Sequence, residues 1–276
     1  MLRKNRAILI SVLFLPMLLI SSWIAYSAAC DYERQTEVLT DRLHTQPKVT
    51  TLLKRFAEGI TLGKLYQGYS QELEELEAIK MAKENYKNRA NWATIIFFLL
   101  SGVFFASIYA LTVDKSFLIS AMLIVSLIAL AVGLFAPILM IVNYKEVPIL
   151  GEVVFRFQSK GIVTTIETLF TSGNILVAIP LFLFSIMIPF LKTVIMGLAL
   201  LTPAQSIASY SLRFIRTIGK WSMADVFVVA LLLTFFIVNK DKSTDAAVQT
   251  GLYFFLCYVI LSMIASHLLI HAKALR

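Results

Sequence analysis

The chain has 276 residues, 58% of them hydrophobic and 15% charged, with a formal net charge of +8. That composition argues against a soluble domain. Neither a GxxxxGK(S/T) nucleotide loop nor a CxxC zinc ribbon occurs, so no enzyme, cofactor or metal centre is expected. Long uncharged runs point instead to an all-α polytopic membrane protein. Each run is about the ~20 residues needed to cross ~30 Å of hydrocarbon, and backbone in lipid satisfies itself as helix.

The first run, 7–29, follows MLRKNR and ends in SAAC. It reads as a retained anchor. The rival reading is a cleaved signal peptide with a lipoprotein-like Cys30, but the apolar run is longer than a usual signal core. Residues 30–92 form a polar insert outside the membrane. DYERQTEVLTDRLH continues the first span as helix, and Pro47 breaks it. KVTTLLKRFAEGI is a short amphipathic helix, and SQELEELEAIKMAKENYKNRANW returns as helix with Leu73, Leu76 and Ile79 at spacings of three. Trp92 then sits where an interfacial aromatic belongs. The expected result is a helical hairpin on two anchors.

The second and third spans are 93–111 and 117–142, joined by the tight turn TVDKS. EVVFRFQ, 152–158, alternates with period two, Ser159-Lys160-Gly161 makes a turn, and IVTTIET resumes with β-branched residues. This predicts a small β-hairpin over the following spans. The remaining spans are 175–198, 221–239 and 248–270, six in all. Cys257 lies in the last as a small apolar residue.

Charge orients the set. With the N-terminus in the cytoplasm, that side and the buried charges near it carry ten positive and two negative residues. The segments 30–92, 143–174 and 240–247 on the far side sum to zero. All the excess lies on one side, as the positive-inside rule expects. Both termini are therefore cytoplasmic. The basicity reflects orientation and anionic lipid, not nucleic acid.

Two charges interrupt the spans. Asp225 is roughly 6 Å past the start of its span, and Lys192 roughly 9 Å from the same side. An isolated charge at mid-membrane costs at least ~2.5 kcal/mol, so the two are expected to pair if their helices are neighbours. Ser222 lies three residues before Asp225 on the same face. Pro189 cannot donate to the carbonyl of Ser185 and is expected to kink the fourth span just ahead of Lys192. Ser262 and His267 fall at similar depth on the last span. Lys220 and Trp221 read as an interfacial anchor. One alternative for Lys192 and Asp225 is a plain structural salt bridge; the other is a proton or substrate site.

The stretches GKWSMADVFVVALL (219–232), SIMIPFLK (185–192) and SMIASH (262–267) resemble the paraquat-inducible protein A family of bacterial inner-membrane proteins. The likeness covers about 117–272, one four-span module. It divides the chain into an N-terminal helix pair with its periplasmic insert, 1–116, and a module at 117–276. The resemblance implies lipid transport across the cell envelope, linked to the proton gradient and performed with a periplasmic MCE-domain partner. It implies phospholipid as cargo and Lys192, Ser222, Asp225 and Ser262 as a proton-responsive polar site. It also leaves homo-oligomerisation open. Members typically carry tandem modules and zinc ribbons, whereas this sequence shows one module and none. A sensor using 30–92 and a tetraspanin-like scaffold are the alternative readings.

Overall fold

The structure is a computed structural model and describes residues 2–45, 68–111, 115–147, 151–201 and 244–274. Helix α1 (Leu2–Thr45) and helix α2 (Gly68–Leu111) each run unbroken for 44 residues, about 66 Å at 1.5 Å per residue. Both combine a span and a polar extension in one helix. They pack antiparallel: Phe14 stacks on Phe104 at 5.7 Å near one end, and the Lys83 ammonium lies 5.7 Å from the Tyr32 ring centroid near the other. Ala28, Ala29 and Ala90 let the backbones approach between these points. The seam is otherwise filled by Leu18, Ala25, Phe97, Phe104 and Ile108. Its hydroxyls bond back into their own helices, as Thr36 does to Tyr32 (2.7 Å) and Thr94 to Ala90 (2.7 Å). Trp23 and Trp92 are exposed and lie within about one turn of the same level, so they mark an aromatic belt.

Helix α3 (Lys115–Phe135) stops short of the 142 expected from the apolar run. Pro137 has no N–H for a helix and turns the residue before it away from helical dihedrals. The chain passes instead into strand β1 (Leu139–Val147), which pairs antiparallel with β2 (Gly151–Lys160) across an irregularity at Asn143/Tyr144. Strand β3 (Thr244–Val248) pairs with the other edge of β1, giving the order β2-β1-β3.

The β-branched reading of IVTTIET is corrected. Ile162–Thr171 is helix α4. Its threonines satisfy local backbone rather than a ladder: Thr165 Oγ1 donates to the Gly161 carbonyl (2.6 Å), Thr168 Oγ1 to Thr164 (2.7 Å) and Thr171 Oγ1 to Glu167 (3.0 Å). The strand expected at 152–158 is present, but it pairs with the residues before it, not after. Gly173, with φ of 76°, makes the turn out of α4.

Helix α5 (Ile175–Phe182), a π-helical turn (Leu183–Met187) and helix α6 (Ile188–Leu201) form one continuous span. Helix α7 (Thr250–Ala274) follows β3 directly. The β1/β3 ladder runs straight into the antiparallel pair α3/α7: Gln249 N–H donates to the Ile138 carbonyl (2.8 Å) and Gly251 N–H to Pro137 (2.9 Å). A Cβ on Gly133 would meet the Phe255 backbone nitrogen at 2.7 Å, and one on Gly251 the Ala136 carbonyl oxygen at 2.6 Å. The two helices thus touch backbone to backbone.

Among the described residues, five helices are long and apolar enough to cross a membrane. The protein is a multi-pass membrane protein, almost wholly helical. The expected span at 221–239 lies outside the described residues. One core joins the N-terminal hairpin to the rest, with Phe97 of α2 against Phe254 of α7 at 4.7 Å.

Candidate functional site

The fourth span is irregular where its sequence becomes polar. Pro189 is buried and withdraws one backbone donor. Just ahead of it the helix widens into the π turn, where Ile188 N–H reaches back to the Leu183 carbonyl. Such turns mark functional places in helices. Ser185, within this turn, is buried. Lys192, one turn past the proline, is only 3% exposed, and Thr193 beside it is buried as well.

The facing surface belongs to α7. Tyr258, Ser262 and Ser266 recur every four residues along one side, all buried. The Tyr258 hydroxyl donates to the Pro189 carbonyl at 3.0 Å, and Thr193 Oγ1 donates to the same oxygen at 2.9 Å. Met196 and Ala199 of α6 pack with Ala265 and Leu269 of α7. The two helices therefore run parallel, with Pro189 level with Tyr258. Three residues on, Lys192 is level with Leu261 and Ser262.

Ser262 Oγ is buried and has no hydrogen-bond partner among the described residues. Ser266, one turn further, bonds back to the Ser262 carbonyl at 2.8 Å. A buried hydroxyl without a partner costs about 1–3 kcal/mol. By the register of the two helices Ser262 lies level with Lys192, which is also buried. Of the expected site residues, Lys192 and Ser262 are brought to one level, and Pro189 adjoins the π turn. Ser222, Asp225, Lys220 and Trp221 lie outside the described residues. His267 is exposed beyond the polar face, with its ring 4.3 Å from that of His271. No group of three or more potential metal ligands occurs among the described residues.

Sequence reasoning missed Tyr258, Ser185 and Thr193. Tyrosine in an apolar run reads as core, and only the four-residue spacing to Ser262 hinted at a shared face.

A sequence model of the family described as Paraquat-inducible protein A matches residues 118–272, more than half of the chain. The chain belongs to the Paraquat-inducible protein A family. All the described site residues fall inside the matched region. One curated relative is lipophilic envelope-spanning tunnel protein A of Escherichia coli (strain K12), 33% identical over 100 residues. That stretch covers 34% of this chain and 23% of the relative, so the chain spans about a quarter of that protein's length. No solved structure matches.

Proposed function

We propose that the protein is an inner-membrane component of lipid transport across the bacterial envelope. The carrying observation is the family match over 118–272, which encloses the buried Lys192 and the unpartnered Ser262 hydroxyl. The relative's name, a lipophilic envelope-spanning tunnel, supports the same reading. The protein acts as a carrier component, not a hydrolytic enzyme. It has six spans and cytoplasmic termini, with the polar ends of α1 and α2 in the periplasm. The extension of α2 beyond Trp92 rises about 36 Å at 1.5 Å per residue, and that arm meets an MCE-domain partner.

By their positions in the sequence, Lys192 and Asp225 fall at comparable distances from the same ends of their apolar runs. Protonation of Asp225 releases Lys192, and the irregular fourth span moves. Such coupling needs only a few kcal/mol of bias between two states.

Purification in mild detergent with mass spectrometry of bound lipid and protein tests the reading. Phospholipid together with an MCE-domain protein is the expected result, and the absence of both would sink it. Asp225→Asn abolishes lipid-barrier function in cells while leaving the protein inserted. Lys192→Ala does the same, and the double variant is no worse than either. Full barrier function in Asp225→Asn reduces the site to structure. If both singles fail to accumulate and the double is rescued, the pair is a salt bridge between helices.

A further inference from the structure

The fourth span has two halves with unlike surroundings. The α5 half is the more exposed of the two, although Ala178 is buried and Leu181 packs against the core. Leu176 is 90% exposed, and Val177, Ile179 and Phe182 are exposed too. The α6 half is held: Met196 and Ala199 are buried against Ile119, Met122 and Leu123 of α3 and Ala265 and Leu269 of α7. Between the halves lie the π turn and Pro189. Helices α3 and α7, by contrast, are locked through backbone contact at Gly133 and Gly251. Among the described residues, a hydrogen bond joins this rigid pair to the junction of the two halves: Tyr258 hydroxyl to Pro189 carbonyl, 3.0 Å, buried, across 69 residues of sequence.

We propose that Tyr258 is a positioning residue. Its hydroxyl pins the Lys192 turn of α6 to the α3/α7 pair, and the span bends at Leu183–Pro189, so that the more exposed α5 half moves relative to the held α6 half. The inference rests on the fourth span carrying the working site. The geometry favours a pin over ordinary packing for three reasons. The bond lands on the proline carbonyl, at the border of the irregular turn, where a restraint has most leverage on the bend. The acceptor already receives Thr193 Oγ1 from within its own helix, so Tyr258 is not needed to satisfy it. The Tyr258 ring is seated in the core beside Phe255, so its hydroxyl is held in place by a body that does not move with α6.

Hydrogen–deuterium exchange of the full-length protein in detergent, read by peptide across 183–192, tests this without any lipid readout. It therefore fails separately from the transport reading. Tyr258→Phe keeps the ring and removes the bond. Exchange across 183–192 is expected to rise about fivefold, the factor that one net hydrogen bond is worth, with peptides of α3 and α7 unchanged. Thr193→Val removes only the intrahelical donor, leaves the link to α7 in place, and is expected to raise exchange less than Tyr258→Phe does. Pro189→Ala restores a backbone donor to the turn and slows exchange there. Unchanged exchange in Tyr258→Phe, or a rise spread over all helices, overturns the proposal. If Tyr258→Phe fails to accumulate, Pro189→Ala decides: slower exchange at 183–189 supports the hinge, and an unchanged rate overturns it.

Discussion

The N-terminal hairpin and the family module solve the membrane problem in opposite ways. In the hairpin, two helices run 44 residues each without interruption. Their seam is filled by alanine, phenylalanine, Leu18 and Ile108, and their hydroxyls bond back to their own carbonyls. The module is built from shorter pieces, ended at Pro137 and Gly173 and widened at the π turn, with backbone pressed on backbone at two glycines. Among the described residues, the buried Lys192 and the unpartnered hydroxyls of Ser159 and Ser262 lie in the module. Pro16 costs α1 one interior donor, yet the helix runs on without widening, and a helix with nearly all its hydrogen bonds made offers little to a polar group. A helix that gives some up exposes carbonyls and creates places where a charge is tolerated. Regularity therefore marks the hairpin, and irregularity the stretch where buried polar side chains gather.

The sharpest way to break this contrast is to place a side chain where the module has no room. Gly133→Leu meets the Phe255 backbone, which cannot yield without parting α3 from α7. Monodisperse protein is expected to vanish on fluorescence-detected size exclusion. At Gly102 in the hairpin an added Cβ meets nothing within 4 Å, and Gly102→Leu is expected to leave the elution profile unaltered. Equal tolerance at both glycines would erase the distinction between the tight and the open region.

A smaller effect is expected at the joint between the two regions. Phe97 is fully buried and its ring lies 4.7 Å from that of Phe254. Phe97→Ala lowers stability by about 2 kcal/mol, less than in a soluble core, because lipid tails compensate the apolar transfer and leave chiefly the packing loss. Thermal melting in detergent reads this as a lower midpoint with the module still folded. An unchanged midpoint means that the hairpin and the module do not stabilise one another there.

The smallest change falls on the polar part of the arm. Lys87 and Glu84 are 4.0 Å apart, with side chains 48% and 61% exposed. Lys87→Ala is expected to shift the same melting curve by less than about 0.5 kcal/mol. A larger shift marks Lys87 as part of a contact that the pair alone does not explain.

How much of this was legible from sequence follows the same division. The hairpin's helices announced themselves through uncharged length and through the leucine spacing past Leu73. Lys192, Pro189 and Ser262 stood out as polar or helix-breaking residues in apolar surroundings. The errors sit where local chemistry overrode pattern. Thr164, Thr165 and Thr168 favour strands by branching, yet in α4 their hydroxyls bond the preceding turn and the helix wins. Pro137 ended α3 inside an unbroken apolar run, and the residues beyond it became strand. Strand β3 was read as part of an outer loop, because five residues with an aspartate carry no alternation until β1 supplies a partner. Tyr258 was hidden by its own ring, which fills core volume as any aromatic does and gives no sign of where its hydroxyl ends.

The unbroken helices of the hairpin have a mechanical consequence. A rod that passes through the interface without a joint is a lever, with its fulcrum at the ring of Trp23 and Trp92. On α2, the outer arm from Trp92 to Gly68 measures about 36 Å and the inner arm from Trp92 to Leu111 about 28 Å. A sideways push of about 4 Å at the tip therefore becomes about 3 Å of opposite travel at the inner end. Phe97, a quarter of the way down the inner arm, moves less than 1 Å by the same proportion, and the joint to Phe254 survives the stroke.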